Sequence, residues 1–423
     1  MNRKLYITVI LLALTLVSLP AFAAWVKIVA IPYYPTPVTD PDWTGPAAAK
    51  MILESPLIVA GPAYVTKTQP ELWTYINAHN DPAWTAIYPG VHTDPIGIRE
   101  CLKEYDTRPN FNYVIRDTSL YTAEISQKIV YTLDHYSVPP AVPINGGLNW
   151  VAVFGVQTDV DPSSGPYMID YFIINDPRDP ILGNNRYITY TGWENSGAAS
   201  VFLHIPTPSA FPDNMKKMAV CDPAPLERLR LKAPELLKRR ATIISPTEAK
   251  TMALKALTKY RLIKNPGFEK ADERIKTGNP ILVKRNTVGI KADYYIVPLA
   301  EMRSIANKMI FGAIIIDAYS GAFLEASCPK RPIAYPYLNV SPAQARMILI
   351  KKIQEQEGIP EKEIQAEAPI LVWEPGMSVN PYFPLWEIKT TIKGVVMVRQ
   401  LDVENKIRQR IIPRREIIKR ETK

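Results

Sequence analysis

A threonine at the predicted start of a helix is the first residue of this chain that could do chemistry. Thr44 stands in the stretch WTGPAAAKMIL, where Gly-Pro precedes small and apolar residues that predict a helix. The N-terminal end of a helix stabilises negative charge, so a nucleophile placed there is activated if it can ionise. A hydroxyl does not ionise near neutral pH, and Thr44 would need a neighbouring base to attack a carbonyl carbon. The alternative is a structural role, in which the hydroxyl caps the helix.

Two further polar residues stand at the ends of strand-like runs. Asn149 begins the run NWVAVFGV and Asp176 follows the run YFIIN, and each run predicts a buried strand. If Asn149 were to serve Thr44 as a base, it would have to take up and return a proton, and an amide cannot do so. We therefore expect Asn149 to form a structural hydrogen bond, with Asp176 as its partner.

The order of these three segments resembles that of papain-like cysteine peptidases of the bacteriocin-processing type. In that family a cysteine opens the helix as Cys-Gly-Pro-Ala, a histidine precedes tryptophan on an apolar strand, and a carboxylate ends the next strand. Across residues 30–205 this chain has Thr44, Asn149 and Asp176 in those places, and residues 31–43 lack the glutamine of the family's oxyanion hole. The resemblance implies a papain-like fold, and the substitutions imply a degenerate, inactive catalytic site.

Aromatic residues flank these positions in the sequence and are candidates for a peptide-binding groove: Tyr33, Tyr34, Trp43, Trp150 and Tyr171. In an inactive peptidase-like domain, such side chains could line a groove for an extended peptide. The alternative is that they pack in the core of the domain.

Residues 243–410 contain an internal repeat. IISPTEAKTMALKAL at 243–257 resembles NVSPAQARMILIKKI at 339–353, and in both the Ser-Pro pair predicts a helix with Ser245 or Ser341 as its N-cap. The tetrapeptide PILV follows each helix, at 280–283 and 369–372, and two strand-like runs follow each tetrapeptide. Each copy therefore predicts one helix on an antiparallel sheet.

In the first copy, IIIDAYSGAF resembles the strand–turn–strand of PepSY-type, cystatin-like modules, which occur in exported bacterial proteins. Asp317 and Gly321 match that motif, whereas the second copy lacks the glycine. The resemblance implies a binding or inhibitory role for the repeats. The residues themselves favour a tight turn between strands over any catalytic role for Asp317.

The sequence thus predicts an α+β protein with a papain-like domain and two tandem cystatin-like modules. The expected divisions are a signal peptide at 1–23, a peptidase-like domain at 25–206, a linker at 207–242, repeats at 243–330 and 338–410, and a basic tail at 411–423. The basic NRK start, the apolar run after it and the closing AFA predict cleavage near Ala23 and export to the periplasm, the cell surface or the medium. An uncleaved membrane anchor is the alternative.

Composition argues against several other classes of function. The net charge is +9, but acidic and basic residues interleave through most of the chain, so nucleic-acid binding is not expected. Three cysteines and four histidines lack the spacing of metal ligands, so we expect no metal and no cofactor. Cys101 lies on a predicted amphipathic helix and is expected to face the core. Residues 406–423 are rich in lysine and arginine, and either end freely in solvent or contact an anionic envelope.

Together these patterns favour an exported, catalytically inactive cysteine-peptidase-like protein that binds a peptide or protein in the cell envelope or outside the cell. Two alternatives stay open. One is an active peptidase or amidase that uses Thr44 as an altered nucleophile, and the other is a protein whose repeats inhibit peptidases.

Overall fold

The structure is a computed structural model. It describes residues 24–37, 39–40, 42–61, 63–82, 93–108, 113, 115–117, 122–144, 149–194, 218–220, 238, 240–268, 275–285, 293–302, 308–329, 331–334, 337–373, 381–401 and 407–410. The expected signal peptide, the basic tail beyond residue 410 and most of the expected linker lie outside these ranges. No helix in the described part of the chain is both long and apolar enough to cross a membrane.

The described helices begin and end as follows: α1 Thr44–Leu53, α2 Pro56–Val59, α3 Gln69–His79, α4 Pro95–Tyr105, α5 Thr122–Tyr131, α6 Tyr190–Glu194, α7 Pro246–Lys259 and α8 Pro342–Glu357. A π-helical turn continues α5, and short 3-10 turns precede β5, follow α7 and follow α8.

The described strands are β1 Trp25–Ile28, β2 Ile115–Asp117, β3 Ala141–Ile144, β4 Asn149–Thr158, β5 Ile169–Asn175, β6 Arg186–Thr189, β7 Met218–Val220, β8 Ile275–Thr277, β9 Ile281–Arg285, β10 Tyr294–Met302, β11 Lys308–Asp317, β12 Phe323–Ser327, β13 Ile333–Ala334, β14 Ile364–Ala366, β15 Ile370–Trp373, β16 Leu385–Ile392, β17 Val395–Leu401 and β18 Ile407–Arg410. Helices and a large mixed sheet together confirm the predicted α+β class.

One hydrogen-bonded sheet runs through the whole described chain. In the front half, β4 pairs with β3, β1 and β5, and β5 pairs with β6. The sheet then continues into the first repeat, because β6 pairs with β12, with Ile188 opposite Glu325 and Tyr187 opposite Ala326. It continues into the second repeat through β9 and β15, which are the two PILV segments. The predicted modules therefore share backbone hydrogen bonds.

Helices cover this sheet in separate places and bury three apolar clusters. In the front half, α1 packs against β3 and β4, and α3 and α4 pack on α1 and on each other. In the first repeat, α7 packs on β10, β11 and β12, and in the second repeat α8 packs on β14 and β16. Aliphatic side chains at helical spacing on α7 supply the buried face, namely Ala249, Ala253, Ala256 and Leu257.

The two repeat helices start as the Ser-Pro pairs predict. The Ser245 hydroxyl accepts from the N–H of Glu248 at 3.2 Å, and the Ser341 hydroxyl accepts from the N–H of Gln344 at 3.3 Å. In each case the Glu or Gln side chain accepts in return from the backbone N–H of the serine, which completes a capping box. The predicted N-caps are therefore confirmed.

The Asp317 motif forms the predicted tight turn between β11 and β12. One carboxylate oxygen of Asp317 accepts from the N–H groups of Tyr319 and Ser320 at 3.0 and 2.7 Å. Gly321 follows with a φ of +74°, which glycine adopts without the steric cost that a side chain would add. Asp317 and Gly321, the two residues that match the motif, thus both shape the backbone of the turn.

Candidate functional site

Thr44 is the first residue of α1, and its hydroxyl ties this helix to β4. The N-cap residue is Trp43, which makes no side-chain cap. The Thr44 Oγ1 instead accepts a hydrogen bond from the backbone N–H of Trp150 at 3.1 Å. The prediction that Thr44 caps the helix is therefore wrong. Because the helix begins at Thr44 itself, its side chain projects from the first turn toward the neighbouring strand, where it accepts from a strand N–H.

The side chain of Thr93 packs against Gly45, the second residue of α1. A Cβ atom at Gly45 would clash with the side chain of Thr93, so only glycine fits at this position. The carbonyl oxygen of Thr93 also accepts from the indole N–H of Trp150 at 3.1 Å. Thr44 itself is only 3% exposed. A substrate carbonyl has no open approach to its hydroxyl.

Asn149 and Asp176 meet as the sequence predicts. The Nδ2 of Asn149, at the start of β4, donates to Oδ1 of Asp176 at 2.8 Å. Asp176 directly follows β5, and the pairing of β4 with β5 brings the two residues together. Both side chains are fully buried. The hydrogen bond that we expected between these two residues is thus present.

The second carboxylate oxygen of Asp176 binds an arginine that the sequence analysis did not identify. Arg186, the first residue of β6, donates through one guanidinium nitrogen to Oδ2 of Asp176. Its Nε donates to Oε1 of Glu325 at 2.6 Å, and a second guanidinium nitrogen donates to Oε2 at 3.1 Å. Glu325 belongs to β12 of the first repeat. These three buried residues, which we call the Arg186 cluster, join the front half to the repeats.

Charges and burial act against each other in the Arg186 cluster. Burial lowers the pKa of Arg186, but the negative charges of Glu325 and Asp176 outweigh it and raise the pKa well above its ordinary value. Burial also raises the pKa of Glu325, and the guanidinium only partly offsets this effect. Arg186 therefore stays charged, and its ion pairs with Asp176 and Glu325 hold the cluster together.

The turn after β5 carries another buried carboxyl group, Asp179. Burial, together with the negative charge of Asp176, raises its pKa to about 6, although the N–H groups of Leu182 and Ile181 donate to it. The hydroxyl of Tyr33 donates to the carbonyl oxygens of Asp176 and Asp179. Tyr33 thus belongs to this turn and fastens it to the N-terminal segment.

The other predicted groove residues divide into two pairs. Trp150 and Tyr171 are 2% and 0% exposed, so the prediction that they line a groove is wrong, because strands β4 and β5 turn both side chains into the core. Tyr34 and Trp43 are half-buried. The Tyr34 hydroxyl donates to the Glu54 carboxylate, and Trp43 stacks on Trp73 with ring centroids 5.5 Å apart.

Neither a catalytic base nor a metal site accompanies these residues in the described ranges. Of the four histidines, the structure describes His79 and His135, which are exposed and stack on tyrosines. Within the described residues, no group of three or more His, Cys, Asp and Glu side chains could hold a metal ion. Cys101 faces the core as predicted, and burial raises the pKa of its thiol far above neutrality. The Thr44 hydroxyl, the amide nitrogen of Asn149 and both carboxylate oxygens of Asp176 are thus engaged in contacts within the protein.

A charged residue inside an apolar strand run was the signal for the missed residues. Arg186 stands in RYITY and Glu325 in FLEAS, and both runs predict strands. Buried Arg and Glu side chains are rare unless they are paired, so two such positions of opposite charge predict a pair, although not which strands meet.

No protein-family model matches this chain. No curated protein matches it significantly.

Proposed function

We propose that this protein is an exported, catalytically inactive relative of papain-like cysteine peptidases that binds a peptide or protein partner. In this proposal residues 25–206 form the peptidase-like domain and the two repeats are cystatin-like modules. The observation that carries the proposal is the convergence of Thr44, Asn149 and Asp176 in the order helix start, strand and following strand end.

The polar atoms at those three positions serve structure. The Thr44 hydroxyl accepts from a backbone N–H, the Asn149 amide donates to Asp176, and Asp176 is held by Arg186. A working triad needs a base in contact with the nucleophile and a carboxylate free to orient that base. Here the residue beside the nucleophile position is an amide in place of a base, and the carboxylate is bound by Arg186. The loss of both requirements favours binding over hydrolysis.

Peptide cleavage and peptide retention test the two halves of this proposal separately. The mature chain from Ala24 is incubated with a mixed peptide pool, and products are followed by mass spectrometry. We expect retained peptides on the immobilised protein and no cleavage. Cleavage that disappears in Thr44→Ala would overturn the inactive assignment, and Thr44→Ser serves as the control that keeps the hydroxyl. A protein that retains no peptide would refute the binding role.

A further inference from the structure

A cavity of about 1040 Å³ lies between the front half and the first repeat. One wall is formed by Asp170 of β5 and by residues 189–191, where β6 meets α6. The other wall is formed by residues of α7 and by residues 320–323 of the turn into β12. We call this space the α7 cavity. Its volume is at the upper end of the range for ligand sites in proteins and far exceeds the space of a small inorganic anion.

Three exposed lysines line the α7 cavity and give it a positive charge. Lys255 and Lys259 belong to α7, and Lys238 belongs to the segment before that helix. None of the three forms an ion pair with a carboxylate in the described part of the chain. Among the described lining residues only Asp170 is acidic, and its Oδ2 accepts from the side-chain amide of Gln157 at 2.8 Å. The ammonium groups therefore remain available to an anionic ligand that enters from solvent.

The second repeat shows that the charge pattern on α7 is not required by the helix itself. Counted from the N-cap serine of each helix, Lys255 corresponds to Lys351 of α8 and Lys259 corresponds to Glu355. In α8 the two side chains form an ion pair, with Lys351 Nζ 3.7 Å from a carboxylate oxygen of Glu355. In α7 the same positions carry two like charges, which destabilise a helix at this spacing. An anion bound between Lys255 and Lys259 would offset this repulsion.

Aromatic side chains lie beside the lysines in the α7 cavity. The ring of Tyr260, which directly follows α7, packs against the ring of Phe323 with centroids 4.8 Å apart, and both residues line the cavity. The ammonium of Lys259 lies 5.1 Å from the centroid of the Tyr260 ring. Because such apolar surface excludes water, the attraction between a lysine and a bound carboxylate is stronger here than on an open surface.

The spacing of the two α7 lysines favours a particular arrangement of negative charges. An α-helix rises 1.5 Å per residue, so Lys255 and Lys259 are about 6 Å apart along the helix axis. In an extended peptide, side chains at alternate positions lie on one face and are about 6.6–6.8 Å apart. Two acidic residues separated by one residue therefore match the two lysines, whereas consecutive acidic residues point to opposite faces.

We propose that the α7 cavity binds an acidic peptide segment in extended conformation, with carboxylates at alternate positions on Lys255 and Lys259. Lys238 supplies a third cation, and Tyr260 and Phe323 contact the apolar parts of the peptide. This inference rests on the proposed function, since it gives the peptide-binding role a site, and none of the buried triad positions lines that site.

The test uses the mature chain and a fluorescein-labelled hexapeptide amide in which Glu and Leu alternate, with affinity measured by fluorescence polarisation. A second hexapeptide has the same composition with its three Glu residues consecutive, and a third has Gln in place of each Glu. We expect the alternating peptide to bind at least fivefold more tightly than the consecutive one and at least tenfold more tightly than the Gln peptide. Inorganic triphosphate or trigalacturonate, at the concentration of unlabelled peptide that displaces half of the label, should displace little of it.

A double variant with a matched control locates the site. Lys255→Gln combined with Lys259→Gln removes two positive charges from the α7 cavity. Lys250→Gln combined with Lys351→Gln removes the same charge from α7 and α8 at positions outside its described lining. We expect at least tenfold weaker binding of the alternating peptide in the first double variant and binding within twofold of the wild type in the second. Circular dichroism verifies that both variants fold.

The outcomes separate this inference from the proposed function. If the two double variants bind the alternating peptide equally, the α7 cavity is not its site and the inference is overturned. It is also overturned if the consecutive peptide binds as tightly, or if triphosphate or trigalacturonate displaces the label as well as the peptide does. If the alternating peptide does not bind but the mixed pool yields retained peptides, this inference fails and the proposed function stands. If nothing is retained from the mixed pool either, both fail.

Discussion

Replacing Arg186 with methionine removes the only cation of the Arg186 cluster while keeping an unbranched side chain of similar length. Asp176 and Glu325, both fully buried, then lose their shared guanidinium. Breaking a buried ion pair by removing one partner destabilises a protein by about 3–5 kcal/mol, because an uncompensated charge stays in a low-dielectric interior. We expect Arg186→Met to lower the free energy of unfolding by about that amount at pH 7.

The loss should depend on pH, with a sign that follows from the carboxyl groups. In Arg186→Met, burial raises the folded-state pKa of Glu325 further above its unfolded value, because the cation that lowered it is gone. A group with a raised folded pKa contributes stability that is complete below the unfolded pKa and is lost as the pH rises through the folded pKa. The variant should therefore recover part of its lost stability as the pH falls from 7 to 5.

Urea unfolding followed by circular dichroism measures this effect at pH 7 and pH 5. Arg99→Met is the control, because Arg99 forms an ion pair with Glu100 that is 30% exposed on both sides, and such pairs contribute about 0–1 kcal/mol. The reasoning is refuted if Arg186→Met costs less than 1 kcal/mol at pH 7. It is also refuted if the loss is as large at pH 5 as at pH 7.

Three further predictions concern single side chains near the same sheet. The folded-state pKa of Asp179 is about 6, against an ordinary 3.8, so the wild type should lose about 3 kcal/mol of stability from this group as the pH rises from 4 to 7. Asp179→Asn should remove that loss and flatten the pH dependence of the free energy of unfolding. Urea titrations across this range that leave the slope unchanged would contradict it. Thr44→Val should lower stability by about 1–3 kcal/mol, because the Trp150 N–H loses its acceptor, whereas Thr44→Ser should lose less; equal losses in the two variants would argue against this role. Ser341→Ala should cost about 1 kcal/mol through its lost cap, measured by thermal unfolding, and a Tm equal to that of the wild type would count against the cap.

The local elements were predictable because their signals are local. Ser245 and Ser341 cap their helices through contacts three residues away, so Ser-Pro followed by Glu or Gln is a sufficient signature. The turn at Asp317 is equally local, since its side chain bonds N–H groups two and three residues on. The hydrogen bond between Asn149 and Asp176 depends on the pairing of two strands, β4 and β5, and is therefore not local. It was expected from the order of the motifs along the chain.

The role of Thr44 shows where a local signature fails. Its sequence context fits an N-cap, yet its hydroxyl accepts from Trp150, which lies 106 residues further along the chain. The burial of Trp150 and Tyr171 was likewise decided by the helices and strands that cover β4 and β5. Aromatic residues carry no sequence mark that separates a groove wall from a core.

The sequence alone therefore determined the α+β class, the helix starts, the tight turn and the two repeated units, since each depends on side-chain periodicity or on contacts within a few residues. Tertiary structure alone decided the partner of Asp176 and the pairing of the two PILV strands. Arg186 and Glu325 are 139 residues apart in the sequence, and the sequence does not specify which cation binds which carboxylate. Which one does so is set by the pairing of β6 with β12, because a buried charge is stable only beside the partner that the sheet brings to it.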